Sequence, residues 1–150
     1  MTDFITFDAR IEPLVWGDRT YTILTLPGEV MDALPRGTKR IEGEFGEFPI
    51  NLALTRAPVT PATFVYTGAA LLREAGLTPG EVFEARIRPA DPDYVEMPDD
   101  VSAALRAAGR SSDWAALSAG QRRGRLHAVS TAKRAETRAR RIAALVANLT

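Results

Sequence analysis

Five cations fall within twenty residues, "STAKRAETRARRIAALVANL" (Ser130–Leu149): Lys133, Arg134, Arg138, Arg140 and Arg141. Guanidinium groups present forked donors that match the oxygens of phosphate and carboxylate, so such a cluster suits an anion. In a helix opening near Glu136, Arg138 flanks the apolar stripe, Arg141 lies to its side and Arg140 points away. Lys133 and Arg134 sit at the turn before it. On this reading Arg138 and Arg141 contact the anion, with Thr137 adding a hydroxyl and Lys133 and Arg134 assisting. The same residues have a structural reading. Arg138 would lay its stem along the helix and pair with acids of the preceding domain, while an exposed Arg140 would pair with Glu136 one turn away, for a few tenths of a kcal/mol.

Other chemistries are poorly supplied. With no cysteine in the chain, disulfides, thiolate zinc sites, thiol nucleophiles and iron–sulfur clusters are excluded. His127 is the one histidine, so a His-rich metal site is excluded, and a Ser/His/acid triad would have to use it. Ser130 lies three positions on, in a basic helix with no nucleophile-elbow context. The acidic run "ADPDYVEMPDD" (Ala90–Asp100) lacks the spacing of a calcium loop; Asp91 and Asp93 flank a Pro turn, and Asp99 is placed to cap a helix. "GLTPG" (Gly76–Gly80) has turn glycines without the basic residue of a phosphate cradle. No catalytic residue, metal or cofactor is expected. Trp16, Tyr21, Phe45, Phe64 and Tyr66 are expected in the core rather than around a ligand.

The elements that must position the cluster divide at the prolines. All ten lie at or before Pro98, and fourteen alanines lie after it, which predicts β-rich structure first and helices afterwards. Ile5, Phe7, Ala9 and Ile11 alternate with Thr6, Asp8, Arg10 and Glu12, the period of a half-buried strand. Tyr21–Leu26 reads as a strand ending at Pro27. "EFGE" (Glu44–Glu47) reads as the tight turn pairing Lys39–Phe45 with Phe48–Leu54. Further strands are expected at Ala62–Tyr66 and Val82–Arg88, with a short one at Tyr94–Met97. Two short helices, Glu29–Leu34 and Ala69–Ala75, each precede an L-x-x-G turn ("LPRG" and "LTPG") 43 residues from the other. The same offset places Tyr21 over Phe64 and Ile23 over Tyr66. Two such units, neither able to close alone, are expected to form one small barrel.

After Pro98 the pattern turns helical. Val101, Ala104, Leu105 and Ala108 follow helical spacing, with Gly109 as the stop. Ser118 and Gln121 fit a capping box. The apolar stripe then changes phase between Leu126, Val129, Ala132 and the set Ala139, Ile142, Val146, Leu149, which predicts a break between Lys133 and Thr137.

The totals describe an ordinary soluble chain of 150 residues, 45% apolar and 25% charged, enough to bury a sizeable core. "MTDFITFDAR" has no basic region leading into an apolar run, and no stretch approaches the ~20 apolar residues of a membrane span; a cytoplasmic location is expected. The net charge of zero conceals an asymmetry: residues 1–100 carry 17 acids against 9 bases, and residues 101–150 carry 10 bases against only Asp113 and Glu136. Opposite charges on two parts of one chain predict mutual attraction, or a basic segment for nucleic acid.

"AKRAETRARRI" (Ala132–Ile142), preceded by "LSAGQRRGRL" (Leu117–Leu126), resembles the C-terminal signature of the YdeI/OmpD-associated proteins. "LPGEV" (Leu26–Val30), "EGEFGEFPINLAL" (Glu42–Leu54), "GLTPGEVFEARI" (Gly76–Ile87) and "VEMPDDVSAAL" (Val95–Leu105) resemble the companion domain of unknown function 1905. The resemblance implies a double-split β-barrel of the AbrB/MazE type with appended helices, and no established activity.

The expected architecture is therefore α+β: a small double-split-type barrel over 1–97 with two short inserted helices, then a C-terminal helical segment over 98–150 packed on it. The expected role is a non-enzymatic cytosolic binding or interaction module, with an anion-binding cleft between barrel and helices and a small anionic ligand or a protein as partner. A nucleic-acid-binding protein of the AbrB/MazE barrel type is the first alternative. An enzyme acting on a small anionic substrate is the second.

Overall fold

The computed structural model describes residues 3–149. The chain divides into two compact units, Met1–Asp91 and Pro92–Thr150, a few residues before the prolines end. By these bounds the first unit carries 13 acids against 9 bases, and the second 10 bases against 6 acids. The charge split is therefore −4 and +4, half of what a cut at residue 100 gives, because Asp93, Glu96, Asp99 and Asp100 belong with the helices.

Among the described residues the first unit holds seven strands and two short helices: β1 (Ile5–Trp16), β2 (Arg19–Thr25), α1 (Gly28–Ala33), β3 (Arg40–Phe45), β4 (Phe48–Ala53), β5 (Thr55–Ala57), β6 (Thr60–Tyr66), α2 (Ala69–Ala75) and β7 (Val82–Pro89). All pairings are antiparallel, in the order β4-β3-β7-β1-β2-β6-β5. Strand β1 changes partner midway. Ile5–Arg10 pair with β7, and Ile11–Trp16 pair with β2. The edge strands β4 and β5 follow each other in the chain through Leu54 alone.

The internal repeat is more extensive than its turns suggest. Shifting β1 by 43 residues lands on β4–Leu54–β5, and the same shift carries β2, α1 and β3 onto β6, α2 and β7. Each copy's strands pair with the other's: β2 with β6, where Ile23 stands opposite its counterpart Tyr66, and β3 with β7. β4–β5 then bridges β3 and β6 as β1 bridges β7 and β2. Strand β5 is only three residues long, with a register shift between Thr55 and Ala57, and the β1 extension to Trp16 is buried at Ile11 and Leu14 rather than at alternate positions.

The alternation of Ile5–Ile11 holds, with Ala9 and Ile11 in a core shared with Leu24, Ile41, Phe45, Val65 and Ile87. In β2 both Ile23 and Leu24 are buried, and in β6 both Phe64 and Val65. Successive strand residues point to opposite faces, so this part of the sheet is covered on both sides. The second side is a smaller cluster of Leu14, Ile23, Ala57 and Phe64, flanked by Tyr21, with Tyr66 against Tyr21 and Phe64 at ring-centroid distances of 5.5 and 5.2 Å. Of the aromatics expected in the core, Phe45 and Phe64 are buried; Trp16 and Tyr66 are exposed.

The second unit is helical: α3 (Asp99–Ala107), α4 (Ser111–Ala115), α5 (Ala119–Ser130) and α6 (Ala135–Ala147). Its core is Val101, Leu105, Trp114, Val129, Ile142, Leu145 and Leu149. The expected strand at Tyr94–Met97 is absent. That stretch is irregular, and the Pro92 and Tyr94 carbonyls accept hydrogen bonds from Arg123 Nη2 at 2.6 and 2.8 Å instead of from a neighbouring strand. The break in the helical pattern is present at Thr131–Arg134, slightly earlier than the change of apolar phase predicts. No helix among the described residues is long and apolar enough to cross a membrane.

Candidate anion site on the helical unit

Helix α6 is fixed to its neighbours by two of the arginines singled out above. Arg138 is half-buried and forks onto Asp100 at the start of α3, Nε to Oδ2 at 2.7 Å and Nη2 to Oδ1 at 3.0 Å. The guanidinium hydrogen bond holds the Asp100 carboxyl below its ordinary range, and Asp100 in turn raises Arg138. Asp100 Oδ1 also accepts from the Val101 N–H at 2.9 Å, satisfying one of the free donors of the first turn. The helix-start role expected of Asp99 thus falls to Asp100, since Pro98 is the N-cap and offers no side-chain acceptor. The structural reading of Arg138 placed its acid in the barrel; the partner lies instead on α3, in the same unit.

Arg141 serves the other end of the junction. Its Nη1 donates to the Ala128 carbonyl at 2.8 Å and to Thr131 Oγ1 at 2.9 Å. The last carbonyls of a helix lack intrahelical partners and carry partial negative charge, so this cation closes the C-terminus of α5.

The remaining cluster residues are differently placed. Lys133 and Arg134 are exposed in the elbow between α5 and α6, and no acid pairs with either among the described residues. The Arg134 carbonyl accepts from the Arg138 N–H at 2.9 Å, the first backbone bond of α6. Thr137 is half-buried. Arg140 is exposed, and Glu136 one turn before it forms no ion pair with it. The structure therefore brings Arg138 and Arg141 into internal contacts and leaves Lys133, Arg134 and Arg140 on the surface. Ser130 Oγ donates to the backbone carbonyl of His127 at 2.8 Å, an ordinary helix contact rather than a nucleophile–base pair.

Residue types and spacing missed two features. Arg123 ties α5 to the segment before α3 through backbone carbonyls, for which no sequence signal exists. Arg122 and Arg125 stand four positions before Leu126 and Val129, on the face that turns apolar one helical turn later; that spacing was available to find them.

An antiparallel sheet followed by a helical unit that fastens its last helix with arginines defines an α+β chain with a helical C-terminal unit. Residues 94–150 match the family described as Bacteriocin-protection, YdeI or OmpD-Associated, a match that covers nearly all of the helical unit. No curated protein matches the chain.

Proposed function

We propose that the protein is a non-enzymatic binding module of the cytoplasm, whose YdeI/OmpD-associated domain presents the α5–α6 elbow to an anionic partner. The observation that carries this reading is the contrast within one cluster: Arg138 and Arg141 have internal acceptors, while Lys133 and Arg134, a few residues away, are exposed without one. Unneutralised cations attract and orient an anion at little desolvation cost. Arg138 and Arg141 then position the elbow, and Thr137 stands beside it as a further donor. The first unit is read as a double-split barrel resembling the domain of unknown function 1905, a reading supported by its 43-residue repeat and by edge strands that follow each other through Leu54.

The test is a charge reversal at the elbow, Lys133→Glu with Arg134→Glu, titrated with poly-glutamate and with a short DNA duplex. Binding of either polyanion should weaken at least tenfold while the fold is retained. Nucleic acid is the second reading, favoured by the +4 surplus of the helical unit. Under that reading the duplex binds and loses affinity steeply between low and moderate salt.

A further inference from the structure

Helix α5 carries a pair of arginines that the elbow does not account for. Its apolar contacts come from its C-terminal half, where Val129 is buried and Leu126 packs against the same core. One turn earlier the corresponding positions are Arg125 and Arg122, because residues four apart share a helix face. Both are half-buried. Arg122 Nε is fully buried and has no hydrogen-bond partner, and no acid pairs with Arg122 or Arg125 among the described residues. Their neighbour Arg123, on another face of the same turn, is by contrast engaged with two carbonyls.

A donor withdrawn from water and given no acceptor is unfavourable, and doubly so on a cation. An acceptor brought to such a group would therefore be bound favourably. We propose that Arg122 and Arg125 form an oxyanion subsite for a phosphate group. Side chains three residues apart on a helix stand about 5–6 Å from each other at Cβ, close enough for two guanidinium forks to share one ligand. A carboxylate offers two oxygens in a plane and saturates a single fork. A tetrahedral phosphate offers oxygens in more than one plane and engages both forks. The subsite is distinct from the elbow and stands whether or not the elbow binds.

The experiment follows the arginine Nε–Hε resonances of the full chain by NMR during titration with inorganic phosphate, with succinate and with sodium chloride at matched ionic strength. The expected result is a saturable shift of Arg122 and Arg125 with phosphate, at a midpoint at least tenfold below that of succinate and without response to chloride. Arg122→Met and Arg125→Met should each raise the phosphate midpoint at least tenfold. Arg122→Lys keeps the charge but removes the Nε donor, and should do the same. Lys133→Glu with Arg134→Glu should leave the midpoint unchanged. If Arg122→Met fails to fold, Arg122→Lys and Arg125→Met carry the test. A shift that does not saturate, that succinate or chloride reproduces, or that survives these substitutions overturns the proposal.

Discussion

Arg138 on α6 and Asp100 at the start of α3, 38 residues apart in the chain, meet through two parallel hydrogen bonds of 2.7 and 3.0 Å. The pair does two things at once, because Asp100 also accepts the Val101 N–H. It starts one helix and anchors another. A lysine delivers a point charge and cannot reproduce the fork, so Arg138→Lys should lose most of the coupling that Arg138→Gln loses. In a double-mutant cycle with Asp100→Asn, measured by urea unfolding, the two substitutions should be non-additive.

The same pair sets an acid limit. Asp100 is held below its unfolded value by the Arg138 hydrogen bond, so its contribution is fully present above the unfolded carboxyl pKa of about 3.9 and is lost as pH falls through the lower folded value. Acidification below about pH 4 should release α6 from α3. Loss of the Arg138 Nε–Hε resonance position should report this, and Asp100→Asn should show the released position already at neutral pH.

In the first unit the tightest steric constraint is at Gly43, in β3 opposite Ile87 of β7. Its φ is +146°, and a Cβ there would lie 1.9 Å from the Arg86 carbonyl oxygen. That neighbour is backbone and cannot turn aside. Gly43→Ala should cost about 2–4 kcal/mol, combining backbone strain with overpacking. Urea unfolding should show a lower midpoint with an unchanged slope.

Thr67, between β6 and α2, is fully buried, and its hydroxyl has no partner. Its backbone is well used: the N–H donates to the Thr22 carbonyl at 2.9 Å, and the carbonyl accepts from Thr22 Oγ1. Thr67→Val removes an unsatisfied group and nothing else. It should be neutral or stabilise by up to about 1 kcal/mol. Thr22→Val, which removes a hydrogen bond that is made, should instead destabilise by about 1 kcal/mol. Thermal unfolding of the two variants should therefore move in opposite directions or differ clearly in size.

Much of this arrangement is written in local pattern. The alternation of Ile5–Ile11, the hairpin at Glu44–Glu47, helix α2 and the capping box all appear where short-range rules place them, the last with Ser118 Oγ accepting the Gln121 N–H at 3.1 Å and Gln121 Oε1 accepting the Ser118 N–H at 2.9 Å. What escaped was set at long range. Strand β5 is three residues long and exists because β6 offers an edge. The Tyr94–Met97 stretch has the residue types of a strand but no edge to join, and Arg123 takes its carbonyls. The cluster of arginines was visible from spacing alone. Which of them would be consumed was not, since Asp100 and the end of α5 meet α6 only after folding.

The central claim is that one cluster divides into fastening and binding residues. Its most direct test compares Arg138→Gln with Lys133→Glu/Arg134→Glu by calorimetric titration with poly-glutamate at low salt, alongside urea unfolding of both. The account predicts that Arg138→Gln lowers the unfolding midpoint and leaves affinity within about twofold of the parent, a difference of about 0.4 kcal/mol. The elbow reversal should lower affinity at least tenfold and leave the unfolding midpoint unchanged. Loss of affinity in Arg138→Gln with the elbow variant binding normally would contradict it.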